Sequence, residues 1–209
     1  MITPYQDAQR VGQEAVRTTI LDSAIGLLAA EGQAALTMRR IATEIGSSTK
    51  VLYTMFGGKQ GLVDALHQEG FARLRAAQRR VSGSDDALTY LRDLGTAYRS
   101  HALAEPGYYC LMFGQAVPGY RPSAEALASA ETAFDASVAA VEACIESGVF
   151  KPGDAGEISK LFWAAAHGAV SLEIAGHFPP DVAARRFETL MAALGHAFST
   201  ADQQPGRTS

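Results

Sequence analysis

The segment that decides the reading is Leu36-Thr37-Met38-Arg39-Arg40-Ile41-Ala42-Thr43-Glu44-Ile45-Gly46-Ser47-Ser48-Thr49-Lys50-Val51-Leu52-Tyr53-Thr54-Met55-Phe56-Gly57-Gly58-Lys59. Thr37 is placed to N-cap a short helix over Met38–Ile45, and Ser48 to cap a second over Thr49–Phe56. On a wheel of about 100° per residue, Met38, Ile41, Ala42 and Ile45 share an apolar arc, with Arg39, Arg40, Thr43 and Glu44 opposite. In the second helix Val51, Leu52, Met55 and Phe56 fall together, and Thr49, Lys50, Tyr53 and Thr54 face the other way. Each helix has one face to bury and one to present. A Gly-containing turn of about three residues between them is helix-turn-helix spacing. The presented arc of the second helix carries hydrogen-bonding groups, a cation and no acid, which suits a DNA major groove. A helical hairpin inside an ordinary all-α core shares this geometry.

Outward from this pair the chain reads as helix throughout. Val16, Ile20, Ala24, Leu27 and Leu28 recur at helical spacing up to Gly32. Further helices are predicted over about 59–81, from Ser84 to before Pro106, over Tyr108–Phe113, from Ser123 to Gly148, over 154–176 and over 181–198, about nine in all. No alternating strand pattern and no repeat occurs. The fold class is all-α. The expected organisation is a head over 1–66, ordered from about residue 11, a helical body over 67–200, and a disordered polar tail over 201–209.

The 209 residues are 47% hydrophobic and 19% charged, as in a globular chain. The first ten residues lack the apolar core of a secretory signal, and the most apolar stretch, Leu161–Gly176, is interrupted by His167, Ser171 and Glu173. A cytoplasmic protein is expected. Cys110 and Cys144 form neither a disulfide framework nor a metal motif. The net charge of -4 hides an asymmetry: up to Ser82 there are ten Lys/Arg and seven Asp/Glu, and beyond it eight and fifteen. A basic head on an acidic body suggests that the head meets a polyanion.

Ile20-Leu21-Asp22-Ser23-Ala24, Leu27-Leu28-Ala29-Ala30-Glu31-Gly32, Leu36 to Ala42, Ile45-Gly46, Leu52-Tyr53, Phe56, Lys59 and Leu62 resemble the DNA-binding head of the TetR family of transcriptional regulators. The resemblance spans about Arg17 to Leu66 without gaps. It implies phosphate contacts for Tyr53, Lys59 and Thr37, and groove contacts for Ser48, Thr49 and Lys50. Arg39 and Thr54 lie on the same presented surface. Ser47 departs from the pattern where an aliphatic residue usually packs the turn, and Gly61 where an acid is common. Trp163-Ala164-Ala165-Ala166-His167-Gly168 with Ser171-Leu172-Glu173, and Pro106-Gly107-Tyr108-Tyr109 with Met112-Phe113, resemble the "WHG" type of C-terminal domain in that family. This implies a domain that binds an inducer and dimerises.

The residues of the second half are read separately. Leu161, Ala165, Gly168 and Leu172 line one side of their helix, and Trp163, His167, Val170 and Ile174 another. A helix apolar nearly all round needs covering on both sides. A second subunit is the expected cover on one side, joined by the stripe Phe187, Leu190, Met191, Leu194 and Phe198; a central place in a monomer is the other option. The aromatic and sulfur-bearing set Tyr108, Tyr109, Cys110, Met112, Phe113, Phe134, Phe162 and Trp163, with His167, suggests a ligand cavity, though core packing uses the same residues. His167 and Glu173 lie about 120° apart on the wheel, too far round to share one small ligand. No G-x-S-x-G, H-E-x-x-H, P-loop or Glu-x-x-His repeat occurs, so no catalytic residue, metal or cofactor is expected.

The sequence therefore predicts a homodimeric, ligand-responsive transcriptional repressor that binds a near-palindromic double-stranded DNA operator and is released by a small hydrophobic effector. The alternative is an all-α enzyme or small-molecule carrier that has lost DNA binding.

Overall fold

Thr3 starts the first helix. Its hydroxyl accepts the Gln6 amide N–H, the Gln6 side chain returns to the Thr3 amide, and Pro4 occupies the first turn. This capping box extends α1 (Pro4–Glu31) well ahead of residue 11, where order was expected to begin. In the computed structural model, residues 3–200 are described, except Asp85 and Gln115. The expected disordered tail over 201–209 lies outside the described residues.

Only the second half of α1 is buried, through Ile20, Leu21, Ala24, Ile25, Leu27 and Leu28. A 3-10 turn (Gln33–Ala35) leads to α2 (Met38–Glu44), α3 (Thr49–Phe56) and α4 (Lys59–Arg79). Thr37 caps α2, accepting the Arg40 amide at 3.2 Å. Ser48 stands at the α3 N-cap position but makes no side-chain cap bond, which leaves its hydroxyl exposed. Gly57 ends α3 at φ 72°, in the left-handed region that glycine adopts without steric cost.

The remaining helices are α5 (Ala87–Ala104), α6 (Pro106–Phe113), α7 (Ala124–Glu131), α8 (Asp135–Glu146), α9 (Ala155–Ile174) and α10 (Pro180–Phe198). Among the described residues there is no strand, only one isolated bridge between Phe150 and Ser199. The segment from Ser123 to Gly148, expected as one helix, is two. Ser123 caps α7 through the Ala126 amide, the chain breaks after Glu131, and Phe134 precedes α8.

The chain divides into two compact units. The first runs to Phe71 and also takes in Gly107–Ser129; the second comprises Ala72–Pro106 and the chain from Ala130 onward. Residues 107–129, placed in the body by the sequence reading, thus belong with the head. The chemistry of α6 and its following loop explains the difference. The Tyr108 hydroxyl donates to Asp22 at 3.2 Å, and the Tyr120 hydroxyl donates to Asp64 at 2.7 Å. Asp64 also accepts the Ser123 amide at 3.1 Å. Gly70 leaves room for Met112, whose sulfur would lie 2.5 Å from any Cβ there.

In the second unit α5 packs on α8, α9 and α10, and α9 packs on α8 and α10. Phe150, Phe162 and Phe198 cluster with ring centroids 6.0–6.1 Å apart. Phe187 and Met191 are buried in this unit, so Phe187, Met191 and Phe198 serve the subunit's own core rather than the outward stripe expected of them. The period of α10 is right, but its buried arc is turned toward α5 and α9.

A Cβ at Gly61 would fall against the Phe56 carbonyl oxygen, well inside contact distance. The turn between α3 and α4 is tight enough to require glycine where an acid is common in the resembled head. Gly61→Asp should therefore lower the melting temperature, with a loss of about 1–3 kcal/mol of the kind overpacking produces; thermal denaturation followed by circular dichroism measures it.

Candidate nucleic-acid interface and effector cavity

The position of α3 is set from beneath. Leu52 is 0% exposed and Phe56 8%. Leu36 and Ile41, also fully buried, belong to the same first-unit core. With that arc fixed inward, Thr49, Lys50, Tyr53 and Thr54 point to solvent, Tyr53 with 54% of its surface exposed. Thr37, Arg39, Ser48 and Lys59 are exposed as well. Among the described residues Arg39, Lys50 and Lys59 enter no ion pair, whereas Arg40 is held by Glu31 at 2.8 Å and Glu44 at 2.6 Å. That contrast separates the two adjacent arginines: Arg40 joins α1 to α2, and Arg39 keeps its charge available. Arg17 lies over the Phe56 ring at 5.3 Å. It opens, with Gln13 and Glu14, onto a groove beside Lys50, Val51, Thr54 and Met55. The face thus offers three cations outside any ion pair and five hydroxyls, those of Thr37, Ser48, Thr49, Tyr53 and Thr54, around α3.

The second unit contains a small cavity of about 40 Å³. Leu74 and Gln78 of α4, Leu91, Leu94, Gly95 and Tyr98 of α5, and Ala133, Phe134 and Ser137 around the start of α8 form part of its wall. Ser159, Phe162, Trp163 and Ala166 of α9 and Met191 of α10 complete it. Of the expected ligand set, Phe134, Phe162 and Trp163 are brought together here, and the Phe134 and Trp163 rings meet edge-on at 5.1 Å. Tyr108, Tyr109, Met112 and Phe113 are not. They belong to the first unit, where Phe113 meets Phe71 at 5.5 Å and Tyr109 at 5.2 Å. Their aromatic density is core packing around α6. His167 stands just behind the wall: its Nδ1 lies 3.2 Å from the Tyr98 hydroxyl and its ring 5.5 Å from Trp163.

Sequence reasoning missed Gln78 and Ser159, which are 6% and 2% exposed. Among the described residues the Ser159 hydroxyl has no hydrogen-bond partner. A polar residue on an otherwise apolar helical arc was the available signal. Glu173 is committed to Arg99 through two bonds of 2.8 and 2.6 Å. Among the described residues no group of three His, Cys, Asp or Glu could hold a metal, and no helix is long and apolar enough to cross a membrane.

On the outer side of α9 and α10, Leu161, Leu172 and Leu190 are 52%, 44% and 37% exposed. Gly168 is exposed between the two leucines of α9, and Ala165 and Leu194 are half-buried.

Residues 20–66 match the family described as bacterial regulatory proteins, tetR family, and residues 91–194 match the tetracyclin repressor-like C-terminal domain. The chain belongs to the TetR family. It is a helix-turn-helix transcriptional regulator with a ligand-binding-type C-terminal domain, not an enzyme. The HTH-type transcriptional regulator Rv1816 of Mycobacterium tuberculosis is 26% identical, with 83% of this chain and 87% of that protein covered. A protein of unknown function from Rhodococcus sp. RHA1 is similar in structure, with a TM-score of 0.75, 28% identity, and 88% of this chain and 95% of that chain covered. The fatty acid degradation regulator FadR of Bacillus halodurans shares the fold at a TM-score of 0.70 and 16% identity, with 86% and 94% of the two chains covered. In this TetR-family chain the matched head includes Thr37, Arg39, Ser48, Thr49, Lys50, Tyr53, Thr54 and Lys59, while Gln13, Glu14 and Arg17 precede it.

Burial lowers the proton affinity of His67, His101 and His167 below the ordinary histidine value; for His67 and His101 a neighbouring carboxylate offsets part of this. The unfolded chain then binds protons that the folded chain does not. Stability from these groups is complete above about pH 6.5, the ordinary histidine value, and falls as the pH drops toward the lowered folded values. The regulator should melt at a lower temperature as the pH is reduced through that window. Replacing His67 with Asn should flatten the trend, as checked by melting curves over a pH series.

Proposed function

We propose that this protein is a cytoplasmic repressor that binds a near-palindromic operator as a homodimer and leaves it when a small, mainly apolar molecule occupies the second unit. The observation that carries the reading is the outward arc of α3, where Thr49, Lys50, Tyr53 and Thr54 are exposed while Leu52 and Phe56 are locked inside. Lys59, Tyr53 and Thr37 hold phosphates, which fix register. Ser48, Thr49, Lys50 and Thr54 face base edges, and Arg39 supports the flank of the groove.

The dimer is proposed through Leu161, Ala165, Gly168 and Leu172 of α9 with Leu190 and Leu194 of α10. Exposed leucines with small residues between them form a self-complementary strip along two neighbouring helices, as an isologous two-fold contact requires. Phe187, Met191 and Phe198 are absent from it because they are spent inside the subunit. The effector site is proposed at the cavity lined by Phe134, Phe162 and Trp163, with His167 supporting Tyr98. An occupant releases DNA only if it favours a conformation that the operator-bound dimer disfavours.

Selection of operators from a random duplex pool tests the reading: an inverted repeat supports it, and recovery of unrelated sequences contradicts it. Lys59→Ala should weaken binding to all sequences alike. It should lower the slope of log K against log salt by about 0.9 per lost phosphate contact, hence by about twice that in a dimer. Lys50→Ala should change which base pairs are preferred. Leu190→Glu should yield monomers and lose operator affinity in parallel, as light scattering and a gel-shift titration of the same sample would show.

A further inference from the structure

The inner cavity and a groove on the surface share one side chain. The groove, about 290 Å³, lies between Arg92 and Thr96 of α5 and Phe187, Glu188, Met191 and Ala192 of α10. Met191 also lines the inner cavity. At about 40 Å³ that cavity holds water-sized occupants, whereas small-molecule sites start near ~300 Å³. An organic effector therefore needs one wall to move. We propose that Met191 is the gate of the effector site: its rotation joins the groove to the cavity and admits an uncharged, mainly apolar small molecule whose single hydrogen-bonding group reaches Ser159. This rests on the effector reading above and adds the entry route, the polar anchor and the charge class.

Three features converge on the gate. Met191 is 8% exposed and carries an unbranched, polarizable side chain that adapts to different packings. Opposite it α5 has Gly95, where a Cβ would lie 3.9 Å from both the Met191 sulfur and the Phe187 ring. The missing side chain leaves the passage open on the α5 side. Within, Ser159 keeps a buried hydroxyl that no group among the described residues satisfies, so a hydrogen-bonding group delivered there removes an unfavourable desolvation. No Lys, Arg, His, Asp or Glu lines the cavity. A charged group drawn inside would lose its hydration without a counter-charge. At the groove Arg92 and Glu188 bring opposite charges, so the mouth selects neither sign.

The test uses the full chain, its sole tryptophan and three probes, 1-octanol, octanoate and n-octane, at neutral pH. Trp163 lines the cavity, so filling it changes the emission. Octanol should give a saturable change, and octanoate should bind about tenfold more weakly or worse because its carboxylate is ionised. Stopped-flow mixing should show faster octanol association for Met191→Ala and slower association for Met191→Phe. Gly95→Leu should lose the octanol response while keeping its helical circular dichroism, and the smaller Gly95→Ala should reduce it. Ser159→Ala should weaken octanol binding but not the response to n-octane. If octanol binds but the Met191 variants associate at the wild-type rate, the gate is wrong and the effector cavity stands. If octanoate binds as well as octanol, the charge class is wrong. If octanol gives no saturable response in any form, the cavity is a water site, and the gate and the effector reading at this cavity both fail.

Discussion

Burial of Leu52 and Phe56 is the constraint from which the rest of the head follows. A helix of eight residues has little stability of its own, so α3 exists because its apolar arc is held. Once those two side chains are inside, the pitch of the helix leaves Lys50, Tyr53 and Thr54 outside, with no freedom to rotate. Everything beneath serves that placement. Thr37 fixes the start of α2, Arg40 ties α2 to α1 through Glu31, and Gly57 and Gly61 close the turn into α4.

The second unit follows a different logic. Its helices are apolar on more than one side, and α9 is covered on its inner face by α5, α8 and α10. The outward leucines Leu161, Leu172 and Leu190 remain, and a second copy is the proposed cover. Inside, the packing is nearly complete, with a 40 Å³ gap beside a buried serine hydroxyl. Such a gap holds water at most until a wall moves. If the proposed effector enters here, its differential affinity comes from the repacking of that wall, since the empty and filled states then pack differently.

Much of this was legible in the sequence, for physical reasons. The wheel placed Leu52, Phe56, Ile41 and Met38 inward and Lys50 and Tyr53 outward, as found, because a short amphipathic helix buries its apolar arc; Val51, placed on the same arc, lies at its edge and is exposed beside the surface groove. The turn glycines and the Thr37 cap are local signals and were readable locally. What pattern could not supply was partnership at long range. Tyr108 and Phe113 read as cavity aromatics, yet pair with Asp22 and Phe71 in the other unit. Helical period cannot tell which of two cores an apolar helix such as α6 will join. The same limit applies to α10, where Phe187 and Leu190 share one stripe, yet Phe187 is buried and Leu190, at the edge of the buried arc, is exposed. Ser159 was overlooked although a polar residue on an apolar arc marks it, because the arc alone does not say that a cavity lies behind it.

The central claim is that two α3 surfaces read one duplex from the same side. Hydroxyl-radical footprinting of the full chain on a selected operator tests it most directly. Two protected patches are expected on one face of the DNA, one helical turn (~34 Å) or more apart and related by a two-fold axis. One patch alone, or protection that does not repeat on a single face of the helix, would contradict it.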